Sequence, residues 1–458
     1  MFGKIRKLHF VGIGGIGMSG IAELLLQRGY EISGSDMKLS PITERLVSLG
    51  AIISQGHSQE NVKNAEVVVY SSAVKEDNSE LVCARENFIP TIKRAEMLGE
   101  LMRMKFGIGV AGTHGKTTTT SMMGMILTKG GFDPTVIVGG ILKNLGSNSQ
   151  AGDSQYIVVE ADEFDRTFLS LTPSIAIITT LEAEHLDCYT DLDDIKGAFV
   201  EFANKVPFYG SVIACLDEPS VQDILPRIKK RRITYGTSAQ ADYQIVNPKY
   251  DGNISEYFVK FEDKILGKVK VSVPGLHNIK NSLAGIVAAI ELGLSFEDAA
   301  KNLESFNGVI RRFEIKDEVN GITIVDDYAH HPTEIEATLL GARNGWSDKR
   351  IVGVFQPHLY SRTRDFASEF GRAFLLSDVL VVTDVYPARE KPIEGITGEL
   401  VALRAKEYGH KKVHYIQDKE SLPNFLSNFA KENDIVITMG AGDIWKAGMG
   451  LIEKLKEK

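Results

Sequence analysis

The residues best suited to chemistry lie between Gly112 and Thr118, in the run G-T-H-G-K-T-T, which joins the apolar stretch FGIGVA to a helix-like segment ending at Gly130 and Gly131. Gly112 and Gly115 let backbone N–H groups curl around phosphate oxygens, and the helix start adds positive potential. Lys116 neutralises charge, and the Thr117 hydroxyl can reach a Mg2+ ion. Thr113, His114 and Thr118 complete the loop, and ATP is its natural ligand. The strict GxxxxGK[ST] spacing would put glycine at 110, where this chain has Val110, so the match is to the shorter form GTxGK[ST].

A metal ion beside such a loop needs a carboxylate at a neighbouring strand end. The run YIVV delivers Glu160, followed by Asp162, Glu163 and Asp165. The run SIAIITTL leads to Glu182, Glu184, His185 and Asp187, at the sheet edge where open α/β folds bind ligands. Glu160 and His185 are the metal candidates, while Asp165 and Asp187 read as solvated loop positions.

A second glycine pattern, Gly12, Gly14 and Gly17, follows a strand and precedes a helix with Ile21, Leu24 and Leu25 on one face. Asp36 closes the next strand, where a dinucleotide fold keeps its ribose-binding acid. Alone, this pattern fits an NAD-dependent dehydrogenase. A dehydrogenase has no use for an ATP loop backed by a metal carboxylate, so the pair of loops reads as ATP plus a second diphosphate.

Positioning these loops requires several domains, because 458 residues exceed what one core supports. Strands and helices alternate through the first hundred residues, and again from the ATP loop onward. Residues 234 to 275 carry short β-like runs expected to form a small antiparallel subsheet. A third alternating series begins near Arg311 with ITIVDD, RIVGVF and DVLVVTDV. The expectation is therefore three α/β domains: a Rossmann-like domain over 1–104, a P-loop ATPase-type domain with the subsheet over 105–312, and a Rossmann-like domain over 313–458.

Composition narrows the setting. Apolar residues make up 43% and charged residues 24%, the balance of a soluble globular chain, and the net charge of −8 disfavours nucleic acid. No apolar run of membrane-spanning length occurs and the glycine-broken start does not read as a signal peptide, so a cytoplasmic protein is expected. Cys83, Cys188 and Cys215 lack metal or disulfide spacing and read as reduced structural thiols.

Taken together and in this order, the motifs resemble the Mur ligases of peptidoglycan synthesis over essentially the whole chain. GIGGIGMSGIAELL and GSD resemble that family's UDP-sugar domain, AGTHGKTTTT its ATP loop, and EADEFD with EAEHLD its metal-binding segments. GLHNIKNSLAG resembles the segment near adenine, NGVIRRFE the arginine element entering the third domain, and VDDYAHHPTEI with FQPHLYSRT the C-terminal signatures of the alanine-adding branch.

The resemblance implies that Gly12, Gly14, Gly15, Ile16, Gly17, Met18, Ser19 and Asp36 hold a UDP-sugar. It implies that Lys116 binds ATP phosphates, that Thr117 and Glu160 hold one Mg2+ and that His185 holds a second. His277, Asn278 and Asn281 fall near adenine, with Arg312 and Asp326 approaching the nucleotide from the far side. Tyr328, His330, His331, Arg362 and Arg364 fall on the amino-acid side, with Arg312 and Arg364 available to a developing oxyanion. Lys196 occupies an uncertain register and is assigned no role. The implied reaction uses ATP to join L-alanine to the carboxylate of UDP-N-acetylmuramate through an acyl phosphate, with the domains closing around the substrates. A tripeptide-recycling ligase on the same UDP-sugar is the nearest alternative, and FQPHLYSRT favours single alanine.

Overall fold

The computed structural model describes residues 3–142, 147–184, 188–388 and 390–458. His185 and Asp187 therefore lie outside the described residues. The chain forms two compact units, one of Met1–Val246, Phe258–Val269 and Lys280–Phe306, the other of Asn247–Tyr257, Lys270–Ile279 and Asn307–Lys458.

The first unit opens with five parallel strands, β1 (Lys7–Val11), β2 (Glu31–Asp36), β3 (Ile52–Gln55), β4 (Val67–Tyr70) and β5 (Thr91–Lys93), in the order β3-β2-β1-β4-β5. The order reverses beside β1, the topology that leaves a ligand crevice at the strands' C-terminal ends. Phe10 and Val11 are fully buried, and the helix Ile16–Gln27 covers the sheet through Ile21, Leu24 and Leu25.

A buried polar network fixes the end of β2. Glu80 accepts hydrogen bonds from Ser35 Oγ at 2.6 Å and Asn61 Nδ2 at 2.5 Å, and His57 Nδ1 lies 3.1 Å away. The Ser35 carbonyl in turn accepts the Gly12 and Ile13 N–H groups, tying the network to the first glycine loop. Burial disfavours the Glu80 charge, but the His9 ring 3.7 Å away and the hydrogen bonds from Ser35 and Asn61 outweigh it and hold the carboxyl at about 2. A folded value below the unfolded 4.5 contributes stability that is present above pH 4.5 and is lost as pH falls toward 2. Glu80→Gln is expected to cost on the order of 3 kcal/mol at pH 7. Urea unfolding of both proteins should show this gap at pH 7 and its narrowing at pH 3; a gap independent of pH would contradict the assignment.

The second sheet has ten strands: β6 (Phe106–Ala111), β7 (Thr135–Leu142), β8 (Ser147–Gln150), β9 (Tyr156–Glu160), β10 (Ile175–Ile178), β11 (Ser211–Cys215), β12 (Arg232–Gly236), β13 (Tyr243–Asp251), β14 (Ile254–Phe261) and β15 (Lys264–Val271). Their order is β15-β14-β13-β12-β11-β10-β6-β9-β7-β8, parallel from β7 to β13. β10 and β11 are wholly buried, as apolar runs covered on both faces must be. The strands expected as a subsheet, β13 to β15, continue this sheet at its edge. Two-residue turns with positive φ at Gly252 and Glu262 join them as antiparallel neighbours. Cys215 is buried on β11, and burial pushes its thiol up to about 12, fitting a structural role.

The second unit contains β16 (Glu314–Val319), β17 (Ile322–Asp327), β18 (Arg350–Phe355), β19 (Val379–Val382), β20 (Val413–Tyr415) and β21 (Asp434–Met439), in the order β16-β17-β21-β18-β19-β20. Only β16 runs antiparallel. Helices cover both faces, one side centred on Leu339, Phe370 and Phe374, the other on Leu422, Leu426 and Leu451. Among the described residues, no helix is long and apolar enough to cross a membrane.

Candidate active site

The ATP loop leaves β6 at Ala111 and enters the helix Lys116–Lys129. Val110 is a fully buried strand residue paired with Glu160 of β9, so the turn begins only at Gly112 and needs no glycine at 110. Gly112 has φ of 147° and Gly115 of 81°. A Cβ at Gly112 would overlap Thr179 Oγ1, and one at Gly115 would stand 2.5 Å from Asn281 Oδ1. Both glycines are thus required by conformation and by neighbours. Thr179 and Thr180 brace the loop from the end of β10: Thr180 Oγ1 accepts the His114 N–H at 2.8 Å, and the Thr179 hydroxyl donates to the His114 carbonyl at 2.5 Å.

Lys116 folds back over its own loop. Its Nζ donates to the Gly112 carbonyl at 2.6 Å and the Thr113 carbonyl at 3.1 Å, and it meets Glu163 Oε1 at 2.9 Å. Burial alone would lower its pKa, but Glu163, Asp162 and Glu160 outweigh it and raise the ammonium above its ordinary range. Glu163 is itself buried, and its backbone carbonyl accepts the Tyr189 hydroxyl at 2.7 Å.

Glu160 ends β9 beside the first helical turn. Its Oε1 accepts the Thr117 hydroxyl at 2.8 Å and its Oε2 the Gly139 N–H at 2.6 Å. A hydroxyl and a carboxylate on adjacent elements form a hard-oxygen donor pair, which suits Mg2+ and not a soft metal. The structure thus brings together Lys116, Thr117, Glu160 and Asn281 around one loop, with Thr118 buried in the first turn behind them. Asn278 donates its amide to the Pro274 carbonyl at 2.7 Å, and the His277 ring lies against Gly275.

The first glycine loop is held by β2. Gly12 has φ of 80°, and Asp36 Oδ2 accepts the Gly14 N–H at 2.9 Å. A side chain at Gly14 would collide with that carboxylate. Gly15 caps the helix, Ile16 to Ser19 form its first turn, and the Ser19 hydroxyl donates to the Ile16 carbonyl.

In the second unit, Arg311 and Arg312 both place their guanidinium groups over the Tyr328 ring, at 4.9 and 5.3 Å. Arg311 pairs with Asp326 at 3.1 Å and donates to the Gly440 carbonyl, whereas Arg312 faces Glu334 at 3.6 Å. Asp327, absent from the sequence candidates, accepts the Phe313 and Ala329 N–H groups, each at 2.7 Å. Burial pushes its carboxyl up to about 6. His330 lies 3.1 Å from Glu334 and edge-on to both Tyr328 and His358. His358 is a further missed group: burial, then His330 and Arg362, depress it to about 4, so it is neutral at pH 7. Arg362 joins this cluster through His358 at 3.4 Å. His331 is buried against Phe366, and Arg364 is half-exposed and pairs with adjacent Asp365. The motif FQPH held the only sequence signal for His358.

Three family models match in succession: the Mur ligase family catalytic domain over residues 7–106, the Mur ligase middle domain over 110–289, and the Mur ligase glutamate ligase domain over 311–442. The chain is 54% identical to the UDP-N-acetylmuramate–L-alanine ligase of Geotalea uraniireducens over 456 residues, covering 100% of this chain and 99% of that one. It is also 54% identical to the enzyme of that name from Salinibacter ruber, covering 99% and 96%. The solved UDP-N-acetylmuramate-alanine ligase MurC of Thermotoga maritima superposes with a TM-score of 0.83 at 30% identity, covering 98% and 99%. The murein peptide ligase of Psychrobacter arcticus gives 0.70 at 25% identity, covering 99% of each chain.

Proposed function

The chain belongs to the Mur ligase family, and we infer that it joins L-alanine to the carboxylate of UDP-N-acetylmuramate, converting ATP to ADP and phosphate in peptidoglycan synthesis. The observation that carries the reading is the Thr117–Glu160 contact at 2.8 Å beside Lys116, which equips a single loop for phosphoryl transfer. Membership in the ligase family sets aside the dehydrogenase reading of the first glycine loop. We assign the UDP-sugar to residues 1–104, ATP to 105–312 and the amino acid to 313–458, and place the reaction in the cytoplasm, where ATP is available.

An amide does not form from a carboxylate and an amine in water without activation. A carboxylate oxygen of the UDP-sugar attacks the γ-phosphorus, the bond to the β-phosphate oxygen breaks, and ADP leaves. Carboxylate and triphosphate repel, so the Lys116 ammonium must be on the phosphates during the attack. Lys116 exchanges its contacts with the Gly112 and Thr113 carbonyls for phosphate oxygens, while the loop N–H groups hold the same anion. Thr117 and Glu160 would hold Mg2+, which supplies charge neutralisation on the phosphates when bound. The alanine amine then attacks the acyl carbon, loses a proton and expels phosphate. We assign this half of the reaction to the cluster of Tyr328, His330, His358, Arg312 and Arg362, with neutral His358 able to accept a proton.

The test is phosphate release from ATP and UDP-N-acetylmuramate, with and without L-alanine. Release is expected to depend on alanine, with glycine and L-serine weaker and the tripeptide inert. Release without any alanine dependence, or driven better by tripeptide, would overturn the reading.

A further inference from the structure

We propose that Glu390 is a positioning residue for the amine half of the reaction, fixing the turn that presents His358 and Arg362. The proposal deepens the functional reading above and rests on it for the identity of the amine.

His358 and Arg362 lie on a segment that does not hold its own shape. It leaves β18 at Phe355 and enters the short helix Tyr360–Asp365. At the N-cap stands Leu359, whose apolar side chain has no oxygen for the first N–H groups of the helix. Its backbone, at φ 70° and ψ 136°, occupies a region that residues with side chains rarely adopt, so the surroundings must impose it. A helix of 6 residues is too short to stabilise itself.

The loop after β19 supplies the constraint. Asp384 closes its base by accepting the Gly398 N–H at 3.0 Å. The Tyr386 N–H donates to the Pro357 carbonyl at 2.8 Å, and the Leu359 N–H donates to the Tyr386 carbonyl at 3.0 Å. This bridge sets the Tyr386 ring nearly parallel to the His358 ring, with centroids 5.9 Å apart. Glu390 completes the clamp. Its Oε2 accepts the Ser361 N–H at 3.0 Å, its Oε1 accepts the Ser361 hydroxyl, and the carboxylate also accepts the Tyr360 N–H. Burial opposes the charge, yet these bonds outweigh it and hold the carboxyl below its ordinary range. A carboxylate from a neighbouring loop thus provides the cap that Leu359 cannot, and a charged acceptor bonds more strongly than a neutral one.

Arg362 follows Ser361 directly, and its Nη1 lies 3.4 Å from His358 Nδ1. Fixing Ser361 therefore fixes both groups, whereas a turn freed from Glu390 relaxes at Leu359 and lets them part.

The experiment measures steady-state kinetics for all three substrates, and the NMR titration of His358, in the full chain and in Glu390→Ala and Glu390→Gln. Glu390→Ala is expected to lower kcat/KM for L-alanine by ~10- to 100-fold, as displacement of positioned groups does, and to leave the KM for ATP and for UDP-N-acetylmuramate unchanged. Glu390→Gln keeps the shape and one acceptor oxygen, so it should lose less. His358, depressed to about 4 chiefly by burial, should rise toward 6.5 in Glu390→Ala as the turn opens. Were Glu390 only a nearby negative charge, its removal would lower His358 instead. An unchanged kcat/KM for alanine, a KM for ATP that rises in step with that for alanine, or a lowered His358 would overturn the proposal. The titration needs no turnover, so a native chain that fails the alanine assay while His358 rises in Glu390→Ala would indict the reaction and spare the clamp.

Discussion

Lys116→Ala will abolish phosphate release and lower stability at the same time, and the two losses will separate in the double variant Lys116→Ala/Glu163→Gln. Turnover falls because the ammonium is the loop's only cation on the phosphates; removing such a group from phosphoryl transfer costs ~10³-fold or more. Stability falls because Lys116 is the partner of a carboxylate that is 1% exposed, at 2.8 Å. Breaking a buried pair from one side costs about 3 to 5 kcal/mol, since the remaining charge is stranded. Neutralising Glu163 as well removes the stranded charge and should restore most of the melting temperature without restoring turnover. If the single variant turns over at the native rate, the ATP-loop assignment is wrong. If the double variant is no more stable than the single one, the Lys116–Glu163 pair does not carry the stability assigned to it.

What could be read in the sequence follows the range of the interactions. The ATP loop is legible because its parts are contiguous: strand, glycine turn, Lys116 and Thr117 act within one turn of helix. Glu160 is legible because a carboxylate ends an apolar run. Glu163 is not, for it sits in the acidic stretch EADEFD and is separated from Lys116 by 47 positions. Glu390 is hidden for the same reason, since nothing in AREKPIE announces a partner at Ser361. The buried parallel strands stand out as apolar runs, whereas β16, EIKDEV, is an antiparallel edge strand buried only at its two ends, and its charged middle hides it. In the C-terminal unit the ambiguity is one of register. Asp326 and Asp327 are adjacent on β17, so they face opposite sides of the sheet, and only the structure shows that Arg311 takes the first while Phe313 and Ala329 take the second.

Glu160→Gln separates a metal ligand from a hydrogen-bond acceptor. The native carboxylate accepts one bond from Thr117 and one from Gly139, at 2.8 and 2.6 Å. A glutamine keeps the shape but has a single acceptor oxygen, so one of the two donors is left facing an NH2 group. If that were all, the loss would be about 1 to 3 kcal/mol of stability, roughly ten- to hundredfold in any equilibrium coupled to it. A residue that also supplies half of the hard-oxygen pair for Mg2+ loses more, because the carboxylate charge that holds the ion goes with it. The expected result is a fall in kcat of ~10³-fold at saturating ATP, together with a marked rise in the Mg2+ concentration needed for half-maximal rate. A Thr117→Val variant, which removes the hydroxyl from both roles, should shift the Mg2+ requirement in the same direction. Should Glu160→Gln lose activity with its Mg2+ dependence unmoved, Glu160 serves the loop's geometry and the metal must be held elsewhere.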